Sequence, residues 1–158
     1  MISDRKRLAA AATLGAVAGM RTFTAPAVVS MRLQGRLWSW RRNRAEKFLR
    51  NGTVERALLA AAAAELIADK LPFIGDRIEP GPLAARAASG ALVGWAVARQ
   101  KEAAVELAIA GAAAAVAVAF AAWGLRRFIT SRSSVPDAVV GLCEDLIAIT
   151  AARSVRYP

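Results

Sequence analysis

Alanine-rich apolar runs interrupted by charged residues constrain the fold of this chain more than any other feature. Five apolar stretches can be drawn, at residues 8–31, 54–71, 82–98, 103–125 and 136–152. Alanine favours helix over strand, and no glycine-rich strand–turn–helix motif occurs, so the sequence predicts an all-α protein. A membrane-spanning helix needs about 20 mainly apolar residues, and the first and fourth stretches are long enough.

We therefore expect an integral membrane bundle of four or five short alanine-rich helices. The mean hydropathy of +0.37 is high for a soluble protein but low for a membrane protein. A soluble alanine-rich bundle is accordingly the alternative.

The charge balance indicates which partners to expect. The formal net charge is +10, from 22 basic against 12 acidic residues. A basic excess attracts nucleic acid or anionic lipid. Because the basic residues are concentrated between apolar runs, the pattern favours anionic lipid headgroups, and we expect no nucleic-acid partner. The 158 residues include no histidine, which excludes a histidine-based triad or a histidine-ligated metal site. We expect no cofactor and no enzymatic activity.

Two short charged motifs occur twice. GMRTF at residues 19–23 is echoed by GLRRF at 124–128, and ELIA at 65–68 by DLIA at 145–148. Charges inside apolar runs are costly, so their recurrence indicates a paired site. We interpret the echoes as an internal duplication, with chance similarity in an alanine-rich chain as the alternative.

The duplication predicts one membrane domain made of two repeats. Repeat 1 covers about residues 8–71, and repeat 2 about residues 103–153. A connector helix at 82–98 joins them. A single spanning connector between two-helix units would invert the second repeat relative to the first.

The charged residues of the apolar stretches are the candidate ion or substrate site. Each arginine either extends to the membrane interface or points inward to pair with a carboxylate or an anionic group. The acids either serve as structural partners of the arginines or carry protons or cations. No metal-ligand spacing occurs, so we expect no metal site. The candidate site residues are Arg21, Glu65, Asp69, Arg126, Asp137, Glu144 and Asp145.

A basic segment at residues 32–53 separates the first two apolar stretches. Its apolar residues recur at helical spacing among arginines and two tryptophans, which predicts a basic amphipathic helix in the headgroup layer. Each basic side chain there contributes about 1 kcal/mol of attraction to an anionic surface. A solvated connector helix is the main alternative. The candidate headgroup-binding residues are Arg36, Trp38, Trp40, Arg41, Arg42 and Arg44.

The orientation of the first stretch is ambiguous. The positive-inside rule places residues 36–50 in the cytoplasm, yet the basic residues 5–7 require the same side. A simple span over 8–31 cannot satisfy both requirements. Either this stretch is broken at residues 19–21 and re-enters the membrane, or the protein inserts in both orientations.

Pairs of glycines four residues apart suggest close helix packing. Gly15 and Gly19 form one pair, and Gly90 and Gly94 form another. Small residues at this spacing let helix backbones approach closely in lipid. We interpret them as packing positions within the bundle, not as a dimer site.

Several longer motifs resemble a known family. They are GMRTFTAPA at 19–27, ELIADKLP at 65–72, PLAAR at 82–86 and PDAVV at 136–140, with the acids at 144–145. They resemble an uncharacterised bacterial family of small integral membrane proteins known only as a domain of unknown function. The resemblance spares the basic segment. It implies a location in the bacterial inner (cytoplasmic) membrane and supplies no activity, substrate or catalytic residue.

The leading functional expectation is a transporter- or channel-like protein with its site where the repeats meet. Arg21 and Arg126 would hold an anionic group or neutralise the acids, while Glu65, Glu144 and Asp145 would carry protons or cations. The alternative is a non-transporting membrane scaffold or lipid-binding adaptor. A bundle of this size would be expected to form a homo-oligomer to enclose a pathway.

Overall fold

Every regular element in the computed structural model is a helix within the described residues, 4–34, 43–68, 79–98, 101–132 and 137–155. This confirms the all-α prediction. The helices are α1 (Asp4–Met20), α2 (Thr24–Gln34), α3 (Arg44–Leu49), α4 (Gly52–Ala68), α5 (Pro80–Val97), α6 (Lys101–Arg132) and α7 (Asp137–Ser154).

The described helices outnumber the four or five expected. The first apolar stretch is divided into α1 and α2 by a break at residues 21–23. The described part of the basic segment contains the end of α2, the short helix α3 and the start of α4, and therefore more than one helix. In addition, α6 does not end near Leu125 but continues to Arg132.

Three helices pack so closely that their contact is backbone against backbone. A Cβ atom placed on Gly15 or on Gly90 would overlap the carbonyl oxygen of Gly111, and one on Gly19 would overlap that of Ala115. These contacts join α1, α5 and α6 at the centre of the bundle. The glycine pairs are therefore packing positions within one chain, as the sequence predicted.

The same contacts fix the helix directions. Gly15 faces Gly111 and Gly19 faces Ala115, so α1 and α6 run parallel. Gly90 also faces Gly111 while Gly94 faces Leu107, so α5 runs antiparallel to α6. An inverted repeat requires the first helices of the two repeats to be antiparallel. The inverted arrangement is therefore wrong.

The physical reason is that α2 turns back toward the end of the bundle where α1 begins. Ser30 on α2 donates a hydrogen bond to the Leu49 carbonyl at the end of α3. Asn43, which caps α3, donates to the Trp95 carbonyl near the end of α5 at 2.8 Å. The end of α5 is joined by a short connection to the start of α6, and a cleft of about 240 Å³ there is lined by residues such as Arg7 of α1 and Leu107 of α6. The first stretch is thus a helix–break–helix hairpin, with its break next to the predicted residues 19–21.

This end of the bundle, which we call the basic end, collects much of the positive charge. The Arg32 guanidinium at the end of α2 donates to the carbonyl oxygens of Arg153 and Val155, so the end of α7 also lies here. A cation at a helix C-terminus is favourable because it faces unpaired carbonyl groups. The basic residues described at this end are Arg5, Lys6, Arg7, Arg32, Arg44, Lys47, Arg50, Arg56 and Arg153.

The outer surface is unusually apolar. Within the described ranges, α6 alone is long and apolar enough to span a membrane, over Ala103–Arg132, with a mean hydropathy of 2.1. Just 28% of the 18-residue apolar stretch that identifies this span is buried. No described residue of α4 is buried, although its sequence is rich in alanine and leucine. The described residues thus form an all-helical structure with one candidate span.

Candidate functional site

The break between α1 and α2 is the centre of the candidate site. Pro26, in the first turn of α2, has no N–H to donate to the carbonyl of Thr22 four residues earlier, which removes one helical hydrogen bond. The Ser89 hydroxyl of α5 donates to that carbonyl instead. The helical pattern holds up to Arg21, whose N–H donates to Val17 at 2.8 Å, and resumes where Ala27 donates to Phe23 at 3.0 Å. A missing backbone donor thus explains where the helix breaks.

Glu65 binds the two backbone N–H groups exposed by this break. Its Oε1 accepts from the Thr22 N–H at 2.7 Å, and its Oε2 accepts from the Phe23 N–H at 3.0 Å. Both N–H groups lie at the N-terminus of α2, where the helix dipole favours a negative charge. Glu65 comes from the last turn of α4, so this carboxylate joins α4 to the break.

Arg21 and Asp145 form a buried ion pair beside the break. One guanidinium nitrogen of Arg21 contacts Oδ1 of Asp145, and the two side chains are 2% and 10% exposed. Removing two charges from water costs several kcal/mol per ion unless the charges are paired and hydrogen-bonded. The pair joins the break, directly after α1, to the middle of α7.

Arg126 and Glu144 form a looser pair between α6 and α7. Nη1 of Arg126 lies 3.7 Å from Oε2 of Glu144, with the side chains 18% and 11% exposed. A Cβ on Gly141 would lie 3.7 Å from the Arg126 guanidinium, which is ordinary van der Waals contact, so the guanidinium lies against α7 at this residue. Arg21 and Arg126 thus both pair with carboxylates, which was one of the two sequence interpretations. Unlike the first copy, the second copy of the motif lies in an unbroken helix.

Arg86 is a site residue that the sequence reasoning missed. It is 5% exposed and lies on α5 three residues before Ser89, hence on the same helix face. Since Ser89 bonds to Thr22, Arg86 lies about one helical turn along α5 from the residue that contacts the break. The sequence could have identified it, because Arg86 is an arginine inside an apolar stretch and Arg21 was selected by the same criterion.

The six charged residues around the break are called the break cluster from here on. Three arginines and three carboxylates give it a formal charge of zero, so the ionised cluster attracts no ion by net charge alone. A carboxylate of the cluster that bound an ion would have to weaken a contact that it already makes. The members are Arg21, Glu65, Arg86, Arg126, Glu144 and Asp145.

Other sequence-predicted residues are not placed at the break. Asp69 lies outside the described residues. Asp137 is the first residue of α7, eight residues before Asp145 and hence about 12 Å away along the helix, and its side chain is outside the described part. Cys143 is exposed, whereas both acids that follow it are buried.

Of the predicted headgroup-binding residues, Arg44 alone lies in the described ranges. It is exposed at the start of α3, at the basic end. The others fall between α2 and α3, outside the described residues: Arg36, Trp38, Trp40, Arg41 and Arg42.

The carboxylates and Cys143 do not form a metal centre in the part of the chain that the structure describes. No group of three or more cysteine, aspartate or glutamate side chains is close enough there to hold a metal ion.

Comparison with known proteins places the chain in a family. The chain belongs to the family described as Domain of unknown function (DUF4126), whose model matches residues 8–154. No curated protein and no solved structure matches it. The match confirms the resemblance to an uncharacterised family and includes every member of the break cluster.

Proposed function

We propose that this member of the DUF4126 family is a small multi-pass protein of the bacterial cytoplasmic membrane that transports or conducts a small ion through the break cluster. The observation that carries the proposal is the broken helix: the Thr22 and Phe23 N–H groups freed at the break bind the half-buried Glu65 carboxylate of α4, next to the buried ion pair of Arg21 and Asp145. Broken helices with this combination of groups form the ion and substrate sites of many transporters.

The outward-facing surface supports a location in the membrane. Four large apolar side chains are exposed on α7 alone: Val139, Leu142, Leu146 and Ile147. The buried face of the same helix carries Glu144 and Asp145. A helix that presents apolar residues outward and charge inward suits a lipid environment, where charged residues face the bundle interior.

The position of the cluster along α7 also fits a membrane protein. Asp145 lies eight residues after the first residue of α7 and nine before the last, about 12 and 14 Å along the axis. Half the thickness of a bilayer's hydrocarbon core is about 15 Å. If α7 spans the membrane, Asp145 lies near the midplane. Irregular backbone at that depth is tolerated only where protein covers it, as Glu65 and Ser89 do here.

The roles of the charged residues follow from their contacts. A proton or cation bound by Glu65 would weaken its hydrogen bonds to the start of α2. One bound by Asp145 would weaken its attraction to Arg21. Both events loosen contacts of the same break, so occupancy of the carboxylates would change the position of α2 relative to α1. Arg21 and Arg126 supply the fixed positive charge against which the ion exchanges.

The test is a flux measurement on purified protein in liposomes, with proton, monovalent-cation and chloride gradients applied separately. We expect flux above that of empty liposomes for at least one ion. Glu65→Gln and Asp145→Asn should lower it at least about tenfold, since each neutralises a carboxylate in the path. Glu55→Gln is the matched control, because Glu55 lies on the same helix α4 but in its first turn. Absence of flux, or equal losses in Glu55→Gln, would overturn the proposal.

The second candidate function is a non-transporting membrane scaffold or lipid-binding adaptor. It is favoured by the pairing of Arg21, Arg126 and Glu65 with groups of the same protein. In that case the same liposomes would show no flux for any ion, and Asp145→Asn would lower stability alone. We propose no catalytic role in either case.

A second copy packed along the uncovered face of α4 is the proposed protein partner, and its test is the oligomeric state in detergent.

A further inference from the structure

We propose that a groove between α5 and α6, open beside α3, holds one acyl chain of an anionic phospholipid whose phosphate pairs with Arg44. This inference rests on the membrane location proposed above and adds a specific lipid site to it. The groove has a volume of about 640 Å³, within the range of small-molecule sites. Its lining includes Arg44, Ala91, Trp95, Ala108, Ile109 and Ala112.

The groove is polar at one end only. Asn43 holds α3 against the end of α5, because its amide donates to the Trp95 carbonyl at 2.8 Å and to the Ala98 carbonyl at 2.6 Å. Its Oδ1 also accepts from the Glu46 N–H at 2.7 Å and so caps α3. These bonds place Arg44, the first residue of α3, at the mouth of the groove at the basic end.

Away from Arg44 the groove is apolar for about the depth of one membrane leaflet. Its lining on α6 runs from Ala104 to Ala112, eight residues or about 12 Å. One leaflet of hydrocarbon is about 15 Å thick. A lipid with its phosphate at Arg44 would therefore lay its chain along the groove toward the middle of the bilayer. Trp95, 40% exposed at the mouth, occupies the level where amphipathic aromatic rings mark the membrane interface.

The charge of the mouth selects an anionic lipid over a zwitterionic one. Arg44 belongs to the basic end, where Arg50 and Lys47 follow within one to two turns. Glu46 is the one acid among the six residues of α3, so the basic residues at the mouth outnumber it. A basic side chain near an anionic headgroup is expected to change affinity about fivefold.

Trp95 provides the measurement. The chain has tryptophans at positions 38, 40, 95 and 123. A variant with Trp38, Trp40 and Trp123 replaced by phenylalanine retains Trp95 as the one fluorophore of its kind. Its quenching would be measured in phosphatidylcholine vesicles containing a small, equal fraction of either brominated phosphatidylglycerol or brominated phosphatidylcholine.

We expect brominated phosphatidylglycerol to quench Trp95 with an apparent affinity about fivefold higher than brominated phosphatidylcholine. Arg44→Gln should abolish the difference, and Arg56→Gln, an exposed arginine on α4, should keep it. Ala108→Phe fills the groove and should weaken quenching by both lipids, whereas Ala117→Phe on the exposed surface of the same helix should not.

Each result distinguishes this inference from the proposed function. Equal quenching by the two lipids in the parent protein, or loss of the preference in Arg56→Gln, overturns the lipid site but leaves the membrane location intact. No quenching by either lipid overturns the membrane location, and the lipid site with it. Arg44 is exposed, so its replacement tests the site even if Ala108→Phe fails to fold.

Discussion

Replacing Gly111 with alanine tests the close packing of α1, α5 and α6 more directly than any other single change. Gly111 lies between Gly15 of α1 and Gly90 of α5, and a Cβ on it would overlap the Gly90 carbonyl oxygen. That oxygen belongs to a helix backbone, so no flexible side chain can move aside. One of the helices must shift.

The size of the effect follows from two opposing contributions. Overpacking a well-packed interior costs about 1–3 kcal/mol, and a rigid backbone neighbour favours the upper value. Alanine is more favourable than glycine in a helix by about 1 kcal/mol. Gly111→Ala should therefore lower the free energy of unfolding by about 2 kcal/mol. For a chain of this length that corresponds to a melting temperature about 4–8 °C lower.

Gly124 supplies a matched control on the same helix. Nothing lies within 4 Å of a Cβ placed on Gly124, so Gly124→Ala should gain up to about 1 kcal/mol from helix propensity alone. Both variants would be unfolded thermally in the same detergent and followed by circular dichroism. If Gly111→Ala is as stable as Gly124→Ala, the helices are not in backbone contact at Gly111 and the packing argument fails.

Three further substitutions test the contacts at the break and at α3, each by equilibrium unfolding in detergent. Asp145→Ala leaves the buried Arg21 without its carboxylate and should lower the free energy of unfolding by about 3–5 kcal/mol. Arg21→Met should restore most of this loss in the double variant, and a double variant no more stable than Asp145→Ala would contradict the pairing. Glu65→Ala removes the acceptor of two backbone N–H groups and should lower the free energy of unfolding by about 1–3 kcal/mol, whereas Glu65→Gln, which keeps an amide oxygen, should lower it less. Equal losses in the two variants would mean that the carboxylate is not the acceptor. Asn43→Ala removes a helix cap and should lower the free energy of unfolding by about 1 kcal/mol. Asn51→Ala should lower it less, because the hydrogen bond that Asn51 accepts from the Thr53 N–H is exposed. The reverse order would contradict the role of Asn43.

The sequence predicted local features of the site better than its three-dimensional arrangement. Charges inside apolar stretches identified Arg21, Glu65, Asp145 and Arg126, and the structure pairs each of them. The principle is that a buried charge is costly, and it applies without knowledge of the fold. Which arginine meets which carboxylate depends on helix directions, and these depend on the break before Pro26.

The inverted repeat was wrong for the same reason. The similar motifs at residues 19–23 and 124–128 suggested equivalent positions in two equivalent units. The first contains a break because Pro26 follows it, whereas the second is followed by residues able to continue a helix through Arg132. One proline therefore adds a helix that returns to the basic end, and this changes the direction of every later helix relative to a two-helix repeat.

In the proposed membrane protein, the returning helix would also remove the ambiguity of orientation. The basic residues 5–7 and the arginines after α2 both require the cytoplasmic side, which no single straight span between them allows. Because α2 returns, the start of α1 and Arg44 lie at the same end of the bundle. The end of α7 joins them through Arg32 and the Val155 carbonyl. In the proposed membrane protein, one orientation satisfies all three groups, with the basic end in the cytoplasm and Arg44 at the anionic inner surface. Dual insertion is then no longer needed to explain the distribution of charge.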